Sequence, residues 1–329
     1  MFAVRIAVLG PGGVGGLVAG ALDRAGTPVV VLARKSTVDT ISTRGLRISS
    51  VLLGDFVAHP RAAARLDEMV DALIVATKSA GLEEALERIE AVPRLVLPLL
   101  NGLDHIPLLR ERFGSGVVVA GTIRVETDRP EPGVVIHTSR FLRVDMASRY
   151  LTMRATMERL ARTLADAGIP ARVHPSTDDS TAPPAERAGA PADGGEAQVM
   201  WSKLVRLNAL ACTTSAFDRL LGEIRDTPEL RAELVGAIEE GCAVARAEGA
   251  SIDSANPLGE LTAAHATLGS SMQRDIAAGR PPELDAIPGA VLRAAARHGV
   301  ECPTIERLVS MIATRARVPL PVVTEGLSR

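Results

Sequence analysis

Residues 6–22 read IAVLGPGGVGGLVAGAL, and this stretch decides the fold of the first half of the chain. Its first four residues are apolar, as in a short buried strand. The next six, from Gly10 to Gly15, match the pattern G-x-G-x-x-G, and an apolar helical pattern follows until Gly26. A strand, a glycine-rich turn and a helix in this order predict the first strand–helix unit of a parallel sheet.

Each glycine of this turn has a physical role beside a dinucleotide pyrophosphate. Gly10 permits a tight turn, Gly12 lets the backbone approach a phosphate, and Gly15 lets the helix pack closely on the strand. The helix N-terminus, at Gly13 and Val14, faces the phosphate charge. We therefore expect these five residues to bind a dinucleotide cofactor, and a purely structural turn is the alternative.

Apolar runs and helical patterns alternate through the rest of residues 1–175. The predicted strands are PVVVLAR, ALIVATK, RLVLPLLNG and GVVVAGT, and GVVIHTS with FLRVDMA is expected to form a hairpin near the sheet edge. The segments GLEEALERIEAV and TMRATMERLARTLADAGI are expected to be helices. The alternation predicts an α/β domain, a Rossmann-type doubly wound sheet with helices on both faces.

Residues 176–197 are rich in Pro, Ala, Gly and Asp and have no apolar period, so we expect an exposed linker or insertion there. Residues 198–329 show helical patterns throughout and predict an all-α C-terminal domain. Its expected helices are Gln198–Leu221, Glu229–Glu248, Leu258–Ala278, Leu284–His298 and Thr304–Arg317.

The composition excludes several classes of protein. The formal net charge is −2 over 329 residues, and basic residues are interspersed with acids, so neither nucleic acid nor a membrane is an expected partner. Three separated cysteines suit a reducing cytoplasm, and six scattered histidines give no metal-site spacing. The apolar N-terminus is broken by glycines and lacks a clear cleavage motif, which disfavours export.

Polar residues end three of the predicted strands, at the edge where a doubly wound sheet binds its ligands. The second strand ends in Arg34 and Lys35 instead of an acidic residue. A cation at this place can accept the 2′-phosphate of NADPH, although an ordinary solvated basic pair gives the same pattern. Lys78 and Asn101 end two further strands and are expected to point toward the cofactor, with capping or loop contacts as the alternative.

Lys203 stands in the apolar helical stretch QVMWSKLVRLNALACTT, among Trp201, Leu204 and Leu207. Partial desolvation near a helix N-terminus is expected to lower the pKa of its amine and to make it a better proton donor. An ammonium group at a ketone stabilises the developing alkoxide and then protonates it. The alternative is a lysine whose stem lies on apolar surface while its amine reaches water.

With these residues in hand, the chain resembles the ketopantoate reductase (2-dehydropantoate 2-reductase) family over most of its length, residues 176–197 excepted. The resemblance is carried by GPGGVGG, ATKS, NGLDH, WSKL and SSMQRDIAAGRPPELDAIPGAVLRAAARHGVECP. It implies NADPH-dependent reduction of a small 2-oxo acid, most simply 2-dehydropantoate to pantoate in pantothenate synthesis, in a cleft between the two domains. It also implies roles for individual residues: Lys203 as the acid, Glu283 holding substrate and lysine, Ser271 at the substrate carboxylate, and Lys78 with Asn101 at the nicotinamide end.

Two substrate-binding asparagines of the family pattern are replaced. Leu207 stands four residues after the lysine, where the family has an asparagine, and Asn208 follows one position later. One residue turns a helix by about 100°, so we expect Asn208, a candidate for substrate binding, to face another direction. Leu268 stands three residues before Ser271. These changes keep a reductase of another 2-oxo acid open, and a non-catalytic NADPH sensor is a third possibility.

Glu283 and Ser271 also have structural alternatives. Glu283 follows two prolines and would suit the first turn of a helix. Ser270 and Gln273 would form a capping box at a helix N-terminus, and Ser271 would then simply lie within the capped turn. The apolar C-terminal helices could bury a homodimer face, although a monomer's own core explains the same pattern.

Overall fold

The computed structural model describes residues 4–175 and 195–323. The chain divides into two compact units: Met1–Leu100 with His105–Val199, and Asn101–Asp104 with Met200–Arg329. Most of the predicted linker lies outside the described residues. Its last part is not an exposed linker, because Glu196 is 5% exposed, begins a helix and accepts a hydrogen bond from Arg110 Nη2 at 2.8 Å.

The first unit contains the predicted doubly wound sheet. Its strands are β1 (Ile6–Leu9), β2 (Val29–Leu32), β5 (Arg61–Ala63), β6 (Ala72–Val75) and β7 (Val96–Pro98). Among the described residues, these five parallel strands pair in the order β5-β2-β1-β6-β7. In β1, Ile6 and Val8 belong to one buried cluster while Ala7 and Leu9 belong to another. The sheet therefore has a core on each face, as its continuous apolar strands require.

Helices flank this sheet as predicted, with one much shorter than expected. They are α1 (Gly13–Arg24), α2 (Lys35–Arg44), α3 (Leu82–Leu86), α4 (His105–Phe113) and α5 (Arg154–Asp166). The pattern GLEEALERIEAV predicted a longer α3. The helix ends early because Ile89 forms a parallel bridge with Leu66, whose backbone N–H donates to the carbonyl oxygen of Arg88 at 2.8 Å.

The predicted hairpin is wrong. Its two strands, β10 (Val134–His137) and β11 (Arg143–Ala147), lie in different sheets. β10 pairs with β3 (Leu46–Ser50), in a sheet that also contains β4 (Phe56–Ala58) and β9 (Thr127–Asp128). β11 pairs with β8 (Ala120–Arg124) and β12 (Ala171–Val173). The Nδ1 atom of buried His137 lies 2.8 Å from Ser50 Oγ, and its Nε2 atom lies 3.1 Å from Ser139 Oγ. This buried polar chain helps to hold β10 against β3, a long-range pairing that local alternation does not reveal.

The second unit is helical, as predicted. Its helices are α6 (Glu196–Phe217, which begins in the first unit), α7 (Leu221–Asp226), α8 (Pro228–Ala247), α9 (Ala255–Ala263), α10 (Ser271–Ala277), α11 (Ala290–His298) and α12 (Pro303–Ala316). A π-helix, Asp285–Gly289, precedes α11. Within the described ranges, no helix has the length and apolar character needed to cross a bilayer.

The predicted helix Leu258–Ala278 is divided into α9 and α10. The intervening chain turns back to bond with α7: the carbonyl oxygen of Ala266 accepts from Gly222 N and that of Leu268 accepts from Leu221 N, both at 2.8 Å. Ser270 then begins α10 as its N-cap and accepts a hydrogen bond from Gln273 N at 3.0 Å. These backbone hydrogen bonds and the N-cap interrupt the helix that the local apolar pattern predicts.

Candidate active site

The glycine turn lies directly after β1, and three of its glycines, Gly10, Gly13 and Gly15, are required by the protein itself. A Cβ on Gly13 would lie 2.6 Å from Thr127 Oγ1. Gly10 has φ +89°, a conformation that favours glycine. A Cβ on Gly15 would overlap the carbonyl oxygen of Gly10 and lie 3.1 Å from the Cβ of Ala76. These positions form the tight turn and the close helix–strand packing expected from the sequence.

Gly12 is not explained by contacts within the protein. Its φ is −75°, which any residue adopts, and the nearest atom to an added Cβ would be the carbonyl oxygen of Ala76 at 3.9 Å. The backbone therefore leaves open space at this position. Space at Gly12, beside the uncapped N-terminus of α1, fits a pyrophosphate that approaches the backbone closely.

Thr77 adds a buried polar group beside the same turn. Its Oγ1 atom is buried and has no hydrogen-bond partner among the described residues, and its Cγ2 atom would lie 2.7 Å from a Cβ on Gly10. A buried hydroxyl without a partner is costly unless a ligand satisfies it. The sequence interpretation did not single out Thr77, although the quoted motif ATKS contains it. The residues around the turn therefore fit a bound dinucleotide.

Arg34 follows β2 with one residue between them and is the N-cap residue of α2. Its Nε and Nη2 atoms donate to the two carboxylate oxygens of Glu84 at 3.3 and 3.1 Å. Lys35 is exposed, with its Nζ atom 3.8 Å from Asp39 Oδ1. Lys78 is also exposed and precedes the 3₁₀ turn Ser79–Gly81.

In the second unit, three of the predicted site residues form one hydrogen-bonded chain. Lys203 Nζ donates to Asn101 Oδ1 at 2.9 Å, and Asn101 Nδ2 donates to Glu283 Oε2 at 3.0 Å. An ammonium group can only donate and a carboxylate can only accept, so these partners fix the orientation of the Asn101 amide. The amide thus connects the cation to the anion, and all three side chains are half-buried.

The expected helix-dipole contribution at Lys203 is wrong. Helix α6 begins at Glu196, two residues before the predicted start, so Lys203 lies about two turns inside it. The macrodipole acts mainly within the first turn. Trp201 and Leu204, its neighbours in the sequence, are buried in the apolar core, and Lys203 itself is half-buried. The Asn101 amide contacts the amine directly.

The segment Asn101–Asp104 is fixed to the second unit by close packing and an ion pair. Gly102 has φ +84°, and a Cβ there would overlap the carbonyl oxygen of Ala286. Arg293 Nη2 donates to Asp104 Oδ2 at 2.6 Å and Nη1 donates to Asp285 Oδ1 at 2.8 Å. Burial alone would lower the pKa of Arg293, but these two carboxylates outweigh it and raise the pKa. A permanently charged guanidinium thus anchors the segment that carries Asn101.

The other predicted substrate residues lie outside this chain of hydrogen bonds. Ser271 is exposed at the first position of α10, next to the capping Ser270. Asn208 is fully buried; its Oδ1 accepts from Cys212 Sγ at 3.4 Å, and its Nδ2 has no partner among the described residues. Leu268 is 4% exposed, whereas Leu207 is half-buried. The described part of the chain holds no group of three or more His, Cys, Asp or Glu side chains arranged for a metal.

Together, a parallel sheet with a glycine loop after its first strand and a lysine–asparagine–glutamate chain in the helical unit define a Rossmann-type oxidoreductase. Two sequence profiles identify the family. One, described as "Ketopantoate reductase PanE/ApbA", matches residues 6–147, and the other, "Ketopantoate reductase PanE/ApbA C terminal", matches residues 197–316. The chain belongs to the ketopantoate reductase family, whose members are NAD(P)H-dependent oxidoreductases acting on CH–OH groups.

Individual relatives agree over nearly the full length. The chain is 30% identical to a 2-dehydropantoate 2-reductase of Mycobacterium tuberculosis over 96% of this chain and 99% of the relative. It is 28% identical to a 2-dehydropantoate 2-reductase of Halobacterium salinarum over 95% and 99%. A solved D-mandelate dehydrogenase with NADH and anilino(oxo)acetate superposes with a TM-score of 0.82 at 20% identity, covering 95% of this chain and 99% of that one. This last similarity shows the shared fold.

Proposed function

We propose that this protein reduces a 2-oxo acid to the 2-hydroxy acid with NADPH, most simply 2-dehydropantoate to pantoate in pantothenate synthesis. The observation that carries the proposal is the chain Lys203–Asn101–Glu283, with N–O distances of 2.9 and 3.0 Å. Family membership supplies the reaction class, and the named activity of two nearly full-length relatives supplies the first substrate to test.

The chemistry of the second unit follows from the donors and acceptors of these three side chains. When bound, the nicotinamide supplies a hydride to the carbonyl carbon of the substrate. The Lys203 ammonium donates a hydrogen bond to the carbonyl oxygen, stabilises its growing negative charge and transfers a proton to it. The product is the alcohol and a neutral amine, which regains its proton from water before the next turnover.

Asn101 and Glu283 have supporting roles in this proposal. Asn101 accepts one Nζ–H of Lys203, which restrains the position of the amine. Glu283 accepts from the Asn101 amide and thereby keeps the amide oxygen turned toward the lysine. The predicted role of Glu283 in contacting substrate remains part of this proposal.

The preference for NADPH rests on Arg34. This guanidinium follows the second strand, where an acidic residue would otherwise bind the ribose 2′-hydroxyl. A planar guanidinium can bind a 2′-phosphate through two hydrogen bonds. Open space at Gly12 and the buried hydroxyl of Thr77 support a pyrophosphate nearby, and the proposed contacts of Gly13, Val14 and Lys78 complete the cofactor site.

A reductase of a different 2-oxo acid is the second candidate, and Leu207 favours it. This residue lies one helical turn after Lys203, on the same face of α6, and is half-buried. A leucine cannot donate the hydrogen bond that the family's asparagine gives to substrate, and its apolar surface suits a bulkier or more apolar 2-oxo acid. The third possibility, a sensor without turnover, does not explain a half-buried lysine bonded to an amide that is in turn bonded to a carboxylate.

Ser271 and Asn208 are the remaining predicted substrate-binding residues. Ser271 could reach a substrate carboxylate from its exposed position, but Asn208 would have to leave its buried place beside Cys212. A homodimer also stays a prediction, and light scattering of the purified protein measures it. A cytoplasmic location is kept as part of the proposal.

One assay distinguishes the two candidate activities. NADPH oxidation is followed spectroscopically with 2-dehydropantoate and with a panel of branched, linear and aromatic 2-oxo acids. A kcat/KM for 2-dehydropantoate that exceeds every other value supports the first candidate. A higher kcat/KM for another 2-oxo acid supports the second, and absence of oxidation with every acid contradicts the proposed function.

A further inference from the structure

The guanidinium proposed to bind the 2′-phosphate already has an anionic partner. Arg34 Nε and Nη2 meet the two oxygens of the Glu84 carboxylate at 3.3 and 3.1 Å, which is the two-point arrangement that a phosphate would use. Glu84 comes from the first turn of α3, a different element from the strand and helix that position Arg34. A carboxylate therefore occupies the donors that a 2′-phosphate requires.

The Arg34–Glu84 pair is weak enough to exchange. The Arg34 side chain is 71% exposed and that of Glu84 is 56% exposed, so water and salt screen their attraction. Glu84 also accepts from Arg88 Nη2 at 3.4 Å, one turn further along the chain. Glu84 therefore has a second cationic partner that does not depend on Arg34.

We propose that Glu84 is a specificity-determining residue that competes with the 2′-phosphate of NADPH for Arg34. The carboxylate weakens NADPH binding in two ways: it occupies the guanidinium donors, and it places a negative charge near the incoming phosphate. NADH carries no phosphate at this position and does not need Arg34, so its binding is unaffected. The inference rests on the proposed use of NADPH, and it makes the chain less selective for NADPH than Arg34 alone would allow.

The test measures ligand binding directly, without turnover. Isothermal titration calorimetry compares adenosine 2′,5′-bisphosphate with 5′-AMP, which differ only in the 2′-phosphate, on the full-length protein. Glu84→Gln removes the charge and keeps the shape. Glu83→Gln is the matched control, because Glu83 is an exposed carboxylate in the same first turn of α3.

The expected result is tighter binding of the bisphosphate to Glu84→Gln by about three- to fivefold, the change that one exposed ion pair can carry. Binding of 5′-AMP should stay within about twofold, and Glu83→Gln should match the wild type for both ligands. In the Arg34→Ala background, Glu84→Gln should lose the part of its effect that comes from releasing the guanidinium, and only the smaller effect of removing a solvent-screened charge should remain.

The outcomes separate this inference from the cofactor proposal. One outcome is that the wild type prefers the bisphosphate and Arg34→Ala removes this preference, while Glu84→Gln behaves like Glu83→Gln. This result overturns the role of Glu84 and supports the proposed binding of NADPH through Arg34. If the wild type binds the bisphosphate no better than 5′-AMP and Glu84→Gln does not change this, both ideas are overturned.

Discussion

Gly102→Ala is expected to displace the loop that carries Asn101. The new Cβ would overlap the carbonyl oxygen of Ala286 and lie 2.9 Å from its carbonyl carbon, whereas ordinary contact begins near 3.4 Å. To restore ordinary contact, the new Cβ must move about 0.5 Å away from the carbonyl carbon of Ala286 and further from the carbonyl oxygen. The loop must therefore move on the order of 1 Å. A misplacement of that size costs on the order of a hundredfold in kcat when a reacting group depends on it. Stopped-flow NADPH oxidation at saturating substrate measures the change.

The control for this substitution is Gly279→Ala. Gly279 also lies in the second unit and has a positive φ of +66°, but no atom lies within 4 Å of an added Cβ. It therefore carries the backbone strain of an alanine in the left-handed region without the clash. If Gly102→Ala folds normally and retains a kcat within about threefold of Gly279→Ala, the position of the loop that carries Asn101 does not limit turnover.

Three further predictions use other parts of the structure. Arg34→Ala should weaken NADPH binding by about tenfold or more and leave NADH binding nearly unchanged, as measured by fluorescence titration; equal losses would contradict the 2′-phosphate role. Leu207→Asn should raise kcat/KM for 2-dehydropantoate relative to a bulky apolar 2-oxo acid by about tenfold, and an unchanged ratio would remove Leu207 as a determinant of substrate. Burial lowers the pKa of His137, so the folded protein resists protonation of this side chain. Below about pH 6.5, the ordinary pKa of a histidine in an unfolded chain, the unfolded chain binds a proton that the folded protein does not. The free energy of unfolding should therefore fall as the pH drops below this value. Urea unfolding of His137→Phe should show lower stability at pH 7 but a flatter decline toward pH 5, and an unchanged slope would exclude His137 as the source.

The parts of the fold that follow from local sequence were predicted correctly. The glycine turn, the strands β1, β2, β6 and β7, and the helical second half are all specified by patterns within about 20 residues. The errors came from long-range pairing. The strand β10 joins β3 through His137 and Ser50, 87 positions apart, and α3 stops where Ile89 pairs with Leu66. Apolar periodicity contains no information about either partner.

For the candidate site, residue types were easier to predict than their partners. The family resemblance pointed to Lys203, Asn101 and Glu283, and the structure joins them by two hydrogen bonds. It could not show that the Asn101 amide lies between the two charges, because that depends on packing between segments that are distant in the sequence. It also missed Thr77, whose buried hydroxyl is identified only by the absence of a described partner, and the contact between Arg34 and Glu84.

The proton donor is tested most directly by comparing Lys203→Ala with the wild type in a single-turnover reaction. Enzyme loaded with NADPH is mixed with the best 2-oxo acid, while NADPH affinity and the urea midpoint are measured in parallel. We predict a hydride-transfer rate lower by about 10²–10⁴-fold with cofactor affinity and stability nearly unchanged. A variant that turns over within about threefold of the wild type would contradict the assignment of the acid to Lys203.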